Sequence, residues 1–336
     1  MKAAVLTTPG IANLTVQDIA EPEPGPGEVK VRIRASSLNY RDLVTVEGGY
    51  GKKQKQEGLI PLSDGAGEVV SVGAGVTAFA PGDRVTPMFF TDWQGGEPNG
   101  PAMARALGGS AQGCAAEFGC FPAHGLVHTP KYLTDAEAAS TVCAGLTAWQ
   151  AVVEQGRIRP GDWVLTQGTG GVSIFALQFA KAMGARVIAT TSSDAKAARL
   201  RELGADHVLN YRDIPDWGKA AKSLTGGAGV DLVVEVGGAG TLNQSLRAIQ
   251  IGGTIAMIGI LAGQTSEINM GFVLMTNSRI QGITVGSREM HQAMYRAMEA
   301  HEIRPVISDT FPLDEIRDAM AFQQAGRHFG KVALTI

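Results

Sequence analysis

The sequence predicts an α/β chain in which a β-rich domain is interrupted by a doubly wound domain built on a parallel sheet. Three observations lead there. Between residues 162 and 285, strand-like and helix-like segments alternate five or six times, the pattern of βαβ units in a parallel sheet. Before residue 130 the chain reads instead as short strands closed by Gly and Pro. After residue 285 the remaining segment is too short for a domain of its own, so it is expected to fold back onto the N-terminal β domain. The expected boundaries are 1–129 and 285–336 for the split domain and 130–284 for the insertion.

The elements follow in order. "EVKVRIRA" (28–35) alternates Val29, Val31, Ile33 and Ala35 with polar partners, the period of a half-buried strand. "GEVVSVG" (67–73) and "GDRVTP" (82–87) are further strand candidates. "EPEPGPGE" (21–28) is turn-rich punctuation. The polar, Gly-rich segment 91–113 reads as a long loop, of the kind that is usually functional or mobile. Phe89, Phe90 and Trp93 beside it fit either a site wall or the core. Thr134, three residues before Glu137, gives a capping box that opens helical runs through Gln155. Strands at 162–167, 185–191, 206–210, 230–236 and 253–259 then alternate with helices, and "RIQGITV" (279–285) offers a sixth. "WVL", "RVIA" and "LVVEV" are apolar on consecutive residues, as in strands covered on both faces. A helix (287–301), a strand near Val306, a helix (313–325) and the strand "KVALTI" complete the chain.

"VLTQGTGGVS" (164–173) lies where a strand gives way to a helix. Gly168 permits a sharp turn, Gly170 lets the backbone approach a pyrophosphate, and Gly171 and Val172 open the helix. The N–H groups and positive dipole end there suit an anion. This is the fingerprint of a dinucleotide loop, with Ser173 in place of the third glycine. Ser173 is small enough for close helix–strand packing, and its hydroxyl has the chemistry to donate to a phosphate. Val172, Phe175, Ala176, Phe179 and Met183 share one helical face.

The end of the second strand reports on the dinucleotide. A site for NAD places Asp or Glu there to hold the ribose 2′-OH. Here Thr191 closes the strand and Ser192, Ser193 and Lys196 follow, a set that suits a 2′-phosphate and hence NADP(H). Ser193 equally serves as a helix N-cap and Lys196 as a solvated first-turn lysine. Asp194 fits either the ribose or the helix dipole.

Bulk composition narrows the classes. The 336 residues carry 29 basic and 32 acidic side chains, a net charge of −3, with no basic run of five, so nucleic acid is not an expected partner. No run of 18 apolar residues is present, so no membrane span is expected. The N-terminal apolar run is too short for a signal peptide, and the triplets at Asn13 and Asn243 then have no glycosylation role. Cys114, Cys120 and Cys143 form no disulfide framework. A reducing, cytoplasmic setting is expected.

Taken together, "EPEPGPGEVKVRIRASSLNYRD", "PLSDGAGEVVSVG", "PGDRV", "CAGLTAWQAV", the glycine loop and "FGKVAL" resemble, in order, the landmarks of the medium-chain dehydrogenase/reductase superfamily. The resemblance covers essentially the whole chain. It implies a GroES-like β domain split by a Rossmann domain. Zinc-dependent members place Cys at the position of Asn39, His at that of Ser63, and Cys at that of Cys143. Only Cys143 matches, with Asp64 as a weak additional ligand, and a catalytic zinc needs three protein ligands. No metal is therefore expected. Cys143 then reads as a small hydrophobe. The four-cysteine structural zinc lobe is absent, and Cys114 and Cys120 with His124 and His128 lack finger-like spacing.

The chain accordingly looks like the zinc-free quinone oxidoreductase branch, which uses NADPH. That resemblance implies Asn39, Asp42 and Tyr50 in the active site, Asn39 and Asp42 beside the nicotinamide. A second active-site tyrosine of the branch falls on Val44. It also implies Lys196, Tyr211 and Arg327 at the adenosine end, and Thr147, Gly237, Gly259 and Ile260 along the ribose and nicotinamide. The expected reaction is hydride transfer to a small-molecule acceptor, a quinone or α,β-unsaturated carbonyl, with an aldehyde also within the acceptor class. Asn39 and Tyr50 would orient the acceptor oxygen and water would supply the proton. Two alternatives stand: a zinc-type alcohol dehydrogenase using Cys143 and Asp64, and an NADPH-binding protein with little turnover. "RIQGITV" as an open sheet edge suggests a homodimer.

Overall fold

The chain passes through its first unit twice. In the computed structural model, which describes residues 1–55 and 57–336, Met1–Leu146 and Val285–Ile336 form one unit and Thr147–Thr284 the other. The return expected for the C-terminal tail takes the form of strand pairing. Lys331–Thr335 runs antiparallel to Glu28–Leu38, with Val332 opposite Leu38. The sheet order is Ile307–Pro312, Lys331–Thr335, Glu28–Leu38, Asp64–Val72, Arg84–Pro87, Leu126–His128, with Phe118–Pro122 also paired to Glu28–Leu38. Val29, Val31, Ile33, Val69, Val85, Phe121 and Leu126 form its buried core. Gly67 is required by the close approach of two strands, since a Cβ there would lie 2.0 Å from the Arg32 carbonyl oxygen.

Three features of this unit differ from the sequence reading. Residues 130–146 belong to it and not to the insertion, because the capped helix Asp135–Ser140 packs on strands Glu28–Leu38 and Asp64–Val72. The capping box itself is present, with Glu137 N–H donating to Thr134 Oγ1 at 3.2 Å and Thr134 N–H to Glu137 Oε2 at 2.7 Å. Strand Glu28–Leu38 runs three residues beyond Ala35, and a short helix, Tyr40–Val46, follows at once. Segment 91–113 is anchored and holds a helical turn, Gly100–Met103. Phe89, Phe90 and Trp93 are core residues, between 1% and 7% exposed.

In the second unit six strands pair in parallel in the order His207–Asn210, Arg186–Thr191, Trp163–Gln167, Val230–Glu235, Ile249–Met257, Arg279–Gly282. Counted along the chain this is 3-2-1-4-5-6, the doubly wound dinucleotide-binding order. Val164, Leu165, Val187, Ile188, Val233 and Val234 are fully buried, as two covered faces require. Helix Gly171–Ala182 buries Phe175, Ala176 and Phe179, while Val172 and Met183, at its ends, are only half-buried. Each such buried Phe contributes about 1.5–3 kcal/mol over exposure. Strand Arg279–Gly282 is the sheet's edge, paired on one side only. Among the described residues no helix is long and apolar enough to cross a membrane.

Candidate functional site

The glycine loop sits at the topological switch point of the second unit, where strands Trp163–Gln167 and Val230–Glu235 are neighbours and the strand order reverses. Gly168 has φ +71°, which favours glycine. Its N–H is tied to the Thr190 carbonyl at 2.9 Å. A Cβ on Gly170 would meet no atom within 4 Å. The loop therefore presents a bare backbone and the start of helix Gly171–Ala182 to open space, a cradle that fits a pyrophosphate. Ser173 departs from expectation. Its hydroxyl donates to the Gln167 carbonyl at 2.6 Å and is 2% exposed, so it staples helix to strand and is not offered to a phosphate.

At the end of the second strand, Ser193 is the N-cap of helix Asp194–Glu202 and accepts from Lys196 N–H at 3.4 Å. Ser192 is half-buried beside it. Asp194 accepts from the Asn210 amide at 3.2 Å. Lys196 is half-buried; burial, and then the nearby Arg199, lower its pKa. Tyr211 is 42% exposed, its N–H tied to the Thr191 carbonyl at 3.0 Å. Thr147 opens this unit and is buried, Gly237 is buried, and Ile260 is half-exposed. At Gly259 a Cβ would lie 2.4 Å from the Val236 carbonyl oxygen. Arg327 lies in the other unit, exposed after helix Ile316–Gln324.

Sequence reasoning missed Glu235, which ends a switch-point strand and is fully buried. Its Oε1 accepts from Gly237 N–H at 2.9 Å, Gly238 N–H at 3.0 Å and the Thr241 hydroxyl at 2.5 Å. Its Oε2 accepts from Gln167 Nε2 at 2.7 Å and from the Ser245 hydroxyl. Gln167 Oε1 in turn accepts from Val236 and Gly237 N–H at 3.2 and 3.3 Å. A buried carboxylate persists only when so satisfied. The network fixes the turn that carries Gly237. The available signal was one acid ending the apolar run "DLVVEV".

The first unit gathers a second polar cluster, wholly its own. Asn39 ends the long strand and opens helix Tyr40–Val46. Its N–H donates to Asp42 Oδ2 at 2.8 Å. Asp42 is 0% exposed, and Arg41 Nη1 donates to its Oδ1 at 3.2 Å. Each Asp42 oxygen thus accepts one hydrogen bond within the unit, and through Oδ2 the residue braces the Asn39 backbone. Burial raises the Asp42 pKa to about 6, against the opposing Arg41 charge. The Arg41 guanidinium stands 4.9 Å from the Phe89 ring and 5.9 Å from the Tyr50 ring. Tyr50 is 42% exposed.

Sequence reasoning also missed Lys331, 2% exposed. Its ammonium donates to the Leu38 carbonyl at 2.7 Å, Asn39 Oδ1 at 2.5 Å and Asp64 Oδ2 at 3.2 Å. Asp64, 0% exposed, further accepts from Ser37 and Ser63 hydroxyls at 2.6 and 2.9 Å. Among the described residues Asn39 Nδ2 is buried without a hydrogen-bond partner, which costs about 1–3 kcal/mol. Cys143 lies in a π-helical turn, Thr141–Gly145, of the type common at functional sites. Burial, and then the Asp64 charge, push its thiol up to about 12, so it is held as a thiol.

Comparison with known proteins matches these two units to two family models. Residues 25–131 match the alcohol dehydrogenase GroES-like domain and residues 171–300 the zinc-binding dehydrogenase domain. A zinc-type alcohol dehydrogenase-like protein of Schizosaccharomyces pombe is 43% identical, over 92% of this chain and 91% of its own. An acryloyl-coenzyme A reductase of Metallosphaera sedula is 28% identical, over 95% and 96%. The crystal structure of an NAD-dependent alcohol dehydrogenase superposes with TM-score 0.92 at 36% identity, covering both chains fully. A mycobacterial structure complexed with NADPH does so with TM-score 0.84 at 27% identity, also covering both. The chain belongs to the medium-chain dehydrogenase/reductase superfamily and is an NAD(P)-binding oxidoreductase of its zinc-type alcohol dehydrogenase family.

The family name carries a metal, and the residues here do not fit one. Of the three positions assigned to zinc ligands, Asn39 and Ser63 are neutral oxygen and amide groups. Cys143 is the one matching ligand of three, and a catalytic zinc needs three protein ligands. Asp64 is committed to Lys331, an ammonium that repels a divalent cation. Among the described residues, no group of three or more His, Cys, Asp and Glu side chains is arranged to hold a metal ion.

Proposed function

We propose that the protein reduces the conjugated double bond of an α,β-unsaturated carbonyl, or a quinone, with NADPH and without a metal. The observation that carries this is the Asn39–Lys331–Asp64 cluster, which offers one unpartnered buried donor, Asn39 Nδ2, where the zinc-dependent relatives of the family would need ligands. A simple ketone would need a Lewis acid or a strong proton donor at the developing alkoxide. A conjugated acceptor needs less, because its charge spreads as it forms. NADPH, when bound, supplies the hydride. Hydride adds to the electron-poor carbon and the displaced electron pair moves to oxygen. Asn39 Nδ2 donates to that oxygen, Tyr50 lines the acceptor, and water returns a proton to the enolate or hydroquinone anion. Asp42 holds Asn39 in place.

The second unit supplies the nucleotide site through Thr147, Gly168, Gly170, Gly171, Val172, Ser192, Ser193, Lys196, Tyr211, Gly237, Gly259 and Ile260. NADP(H) in preference to NAD(H) is supported by the absence of a carboxylate at Thr191 and by Lys196 beside Arg199. The acryloyl-coenzyme A reductase relative supports an unsaturated acyl or carbonyl acceptor. The names of other relatives favour a second reading, alcohol oxidation with zinc. We place the protein in the cytoplasm as a homodimer, with the free thiols supporting the first and the open edge strand the second.

The test is consumption of NADPH, and in parallel NADH, by chelator-treated protein offered quinones, enones and simple aldehydes. Turnover of a quinone or enone that ignores chelator is expected. Aldehyde reduction restored only by added zinc would replace this reading with the second.

A further inference from the structure

A side-chain amide has an accepting end and a donating end of nearly the same shape, so its orientation must come from its neighbours. At Asn39 two donors call for the oxygen, the Asp42 N–H of the capping box and the Lys331 ammonium, and Lys331 is the charged one. An ammonium has three donors and no acceptor. Those of Lys331 meet three oxygens, the Leu38 carbonyl, Asn39 Oδ1 and Asp64 Oδ2. Turning the amide over would set its NH2 against the ammonium, donor facing donor. The oxygen is therefore pinned toward Lys331 and Nδ2 is directed away from it, left without a partner although Asn39 is only 9% exposed. Ser37 and Ser63 hold Asp64, and Asp64 holds the ammonium, so the orientation is set by a chain of buried contacts.

We infer that Lys331 is a positioning residue which fixes Asn39 as a hydrogen-bond donor, and that the site thereby selects an acceptor presenting an oxygen lone pair. The identity of that acceptor rests on the reading given above; the locked amide does not. Without Lys331, the Leu38 carbonyl and Asp64 would draw the NH2 group toward themselves, and Asn39 would present its oxygen to the acceptor, lone pair against lone pair. Lys331 then acts through Asn39 alone.

The experiment is a double-mutant cycle on the full-length protein. Asn39→Leu deletes the amide. Lys331→Met removes the ammonium and leaves the Asp64 carboxylate, still held by the Ser37 and Ser63 hydroxyls, to draw the amide NH2. Each change is expected to lower kcat for an enone about 100-fold, the usual loss for one donor at a developing oxyanion, with KM for NADPH unchanged. Combined, they are expected to lower it no further, because both remove one interaction. Asn39→Asp keeps the oxygen that Lys331 holds and replaces the donor by a second acceptor; it is expected to lose the same factor. Losses that multiply in the combined variant, or Asn39→Asp turning over like the parent, would overturn the inference. Should the parent reduce only simple aldehydes, the proposed acceptor class falls, and the same cycle run on the aldehyde decides the role of Lys331 by itself. Should it reduce no carbonyl at all, both fall.

Discussion

Asp42 holds its proton later than an ordinary aspartate, and the consequence for stability has a definite sign. Its carboxyl titrates at about 6 in the fold against 3.8 normally, chiefly through burial. Between those values the native state binds a proton that the unfolded chain has lost. The Asp42 contribution to stability therefore falls as pH rises from about 4 to about 6 and stays low above that. His291 works the other way. Burial depresses it to about 3, so its contribution rises with pH up to the ordinary histidine range. The difference between parent and Asp42→Asn isolates the first effect. Urea midpoints of the variant are expected to lose the downward slope between about pH 4 and about pH 6, and a difference curve flat across that window would show that Asp42 is not the source. At this scale the family resemblance singled out Asn39, Asp42 and Tyr50. The sequence could not point to Lys331, which meets Asn39 across 292 residues of chain, nor show that the Ser173 hydroxyl is already spent on Gln167. Those facts are set by strand pairing and by close packing, and neither leaves a local pattern.

The proposed nucleotide site lies on the strand ends and helix starts of the second unit, so they are where cofactor preference should yield to mutation. Gly170→Val places a side chain in space that is otherwise open. It is expected to raise KM for NADPH at least about tenfold while thermal unfolding moves little, because the cost falls on the phosphate and not on packing. Lys196→Glu is expected to raise KM for NADPH by about 10- to 100-fold, the worth of one charge-assisted hydrogen bond, and to leave KM for NADH nearly as it was. Equal effects on the two cofactors would argue that Lys196 plays no part in reading the 2′-phosphate. The elements themselves were legible because the parallel strands are continuous apolar runs separated by helix-length spacers. Helix Tyr40–Val46 was not. Its only early signals, Asn39 and Asp42, also fit a turn, and its seven residues are too few for a period to show. The assignment of 130–146 to the second unit failed for a related reason. A capping box locates a helix start but says nothing about which sheet the helix will cover.

At the scale of the molecule, the second unit ends in an edge strand with Ile280 38% exposed. Ile251, Met270, Leu274 and Met275, each at least 67% exposed, belong to neighbouring elements of the same edge region. An unpaired, apolar edge is a template for another strand, and a second copy of the same chain satisfies it symmetrically. Ile280→Lys is expected to convert a dimer to a monomer in gel filtration without unfolding it. A parent that already elutes as a monomer would remove the edge from consideration.

The pairing of Lys331–Thr335 with Glu28–Leu38 also has a consequence in time. Leu38 and Lys331 are 293 residues apart, and ribosomes add about 5–20 residues per second. The nascent long strand must therefore wait roughly 15–60 s for the neighbour that brings the ammonium to Asn39. During that interval the inserted unit can already have left the exit tunnel and folded. A stalled or prematurely terminated chain would then carry a folded inserted unit while lacking the lysine that meets Asn39.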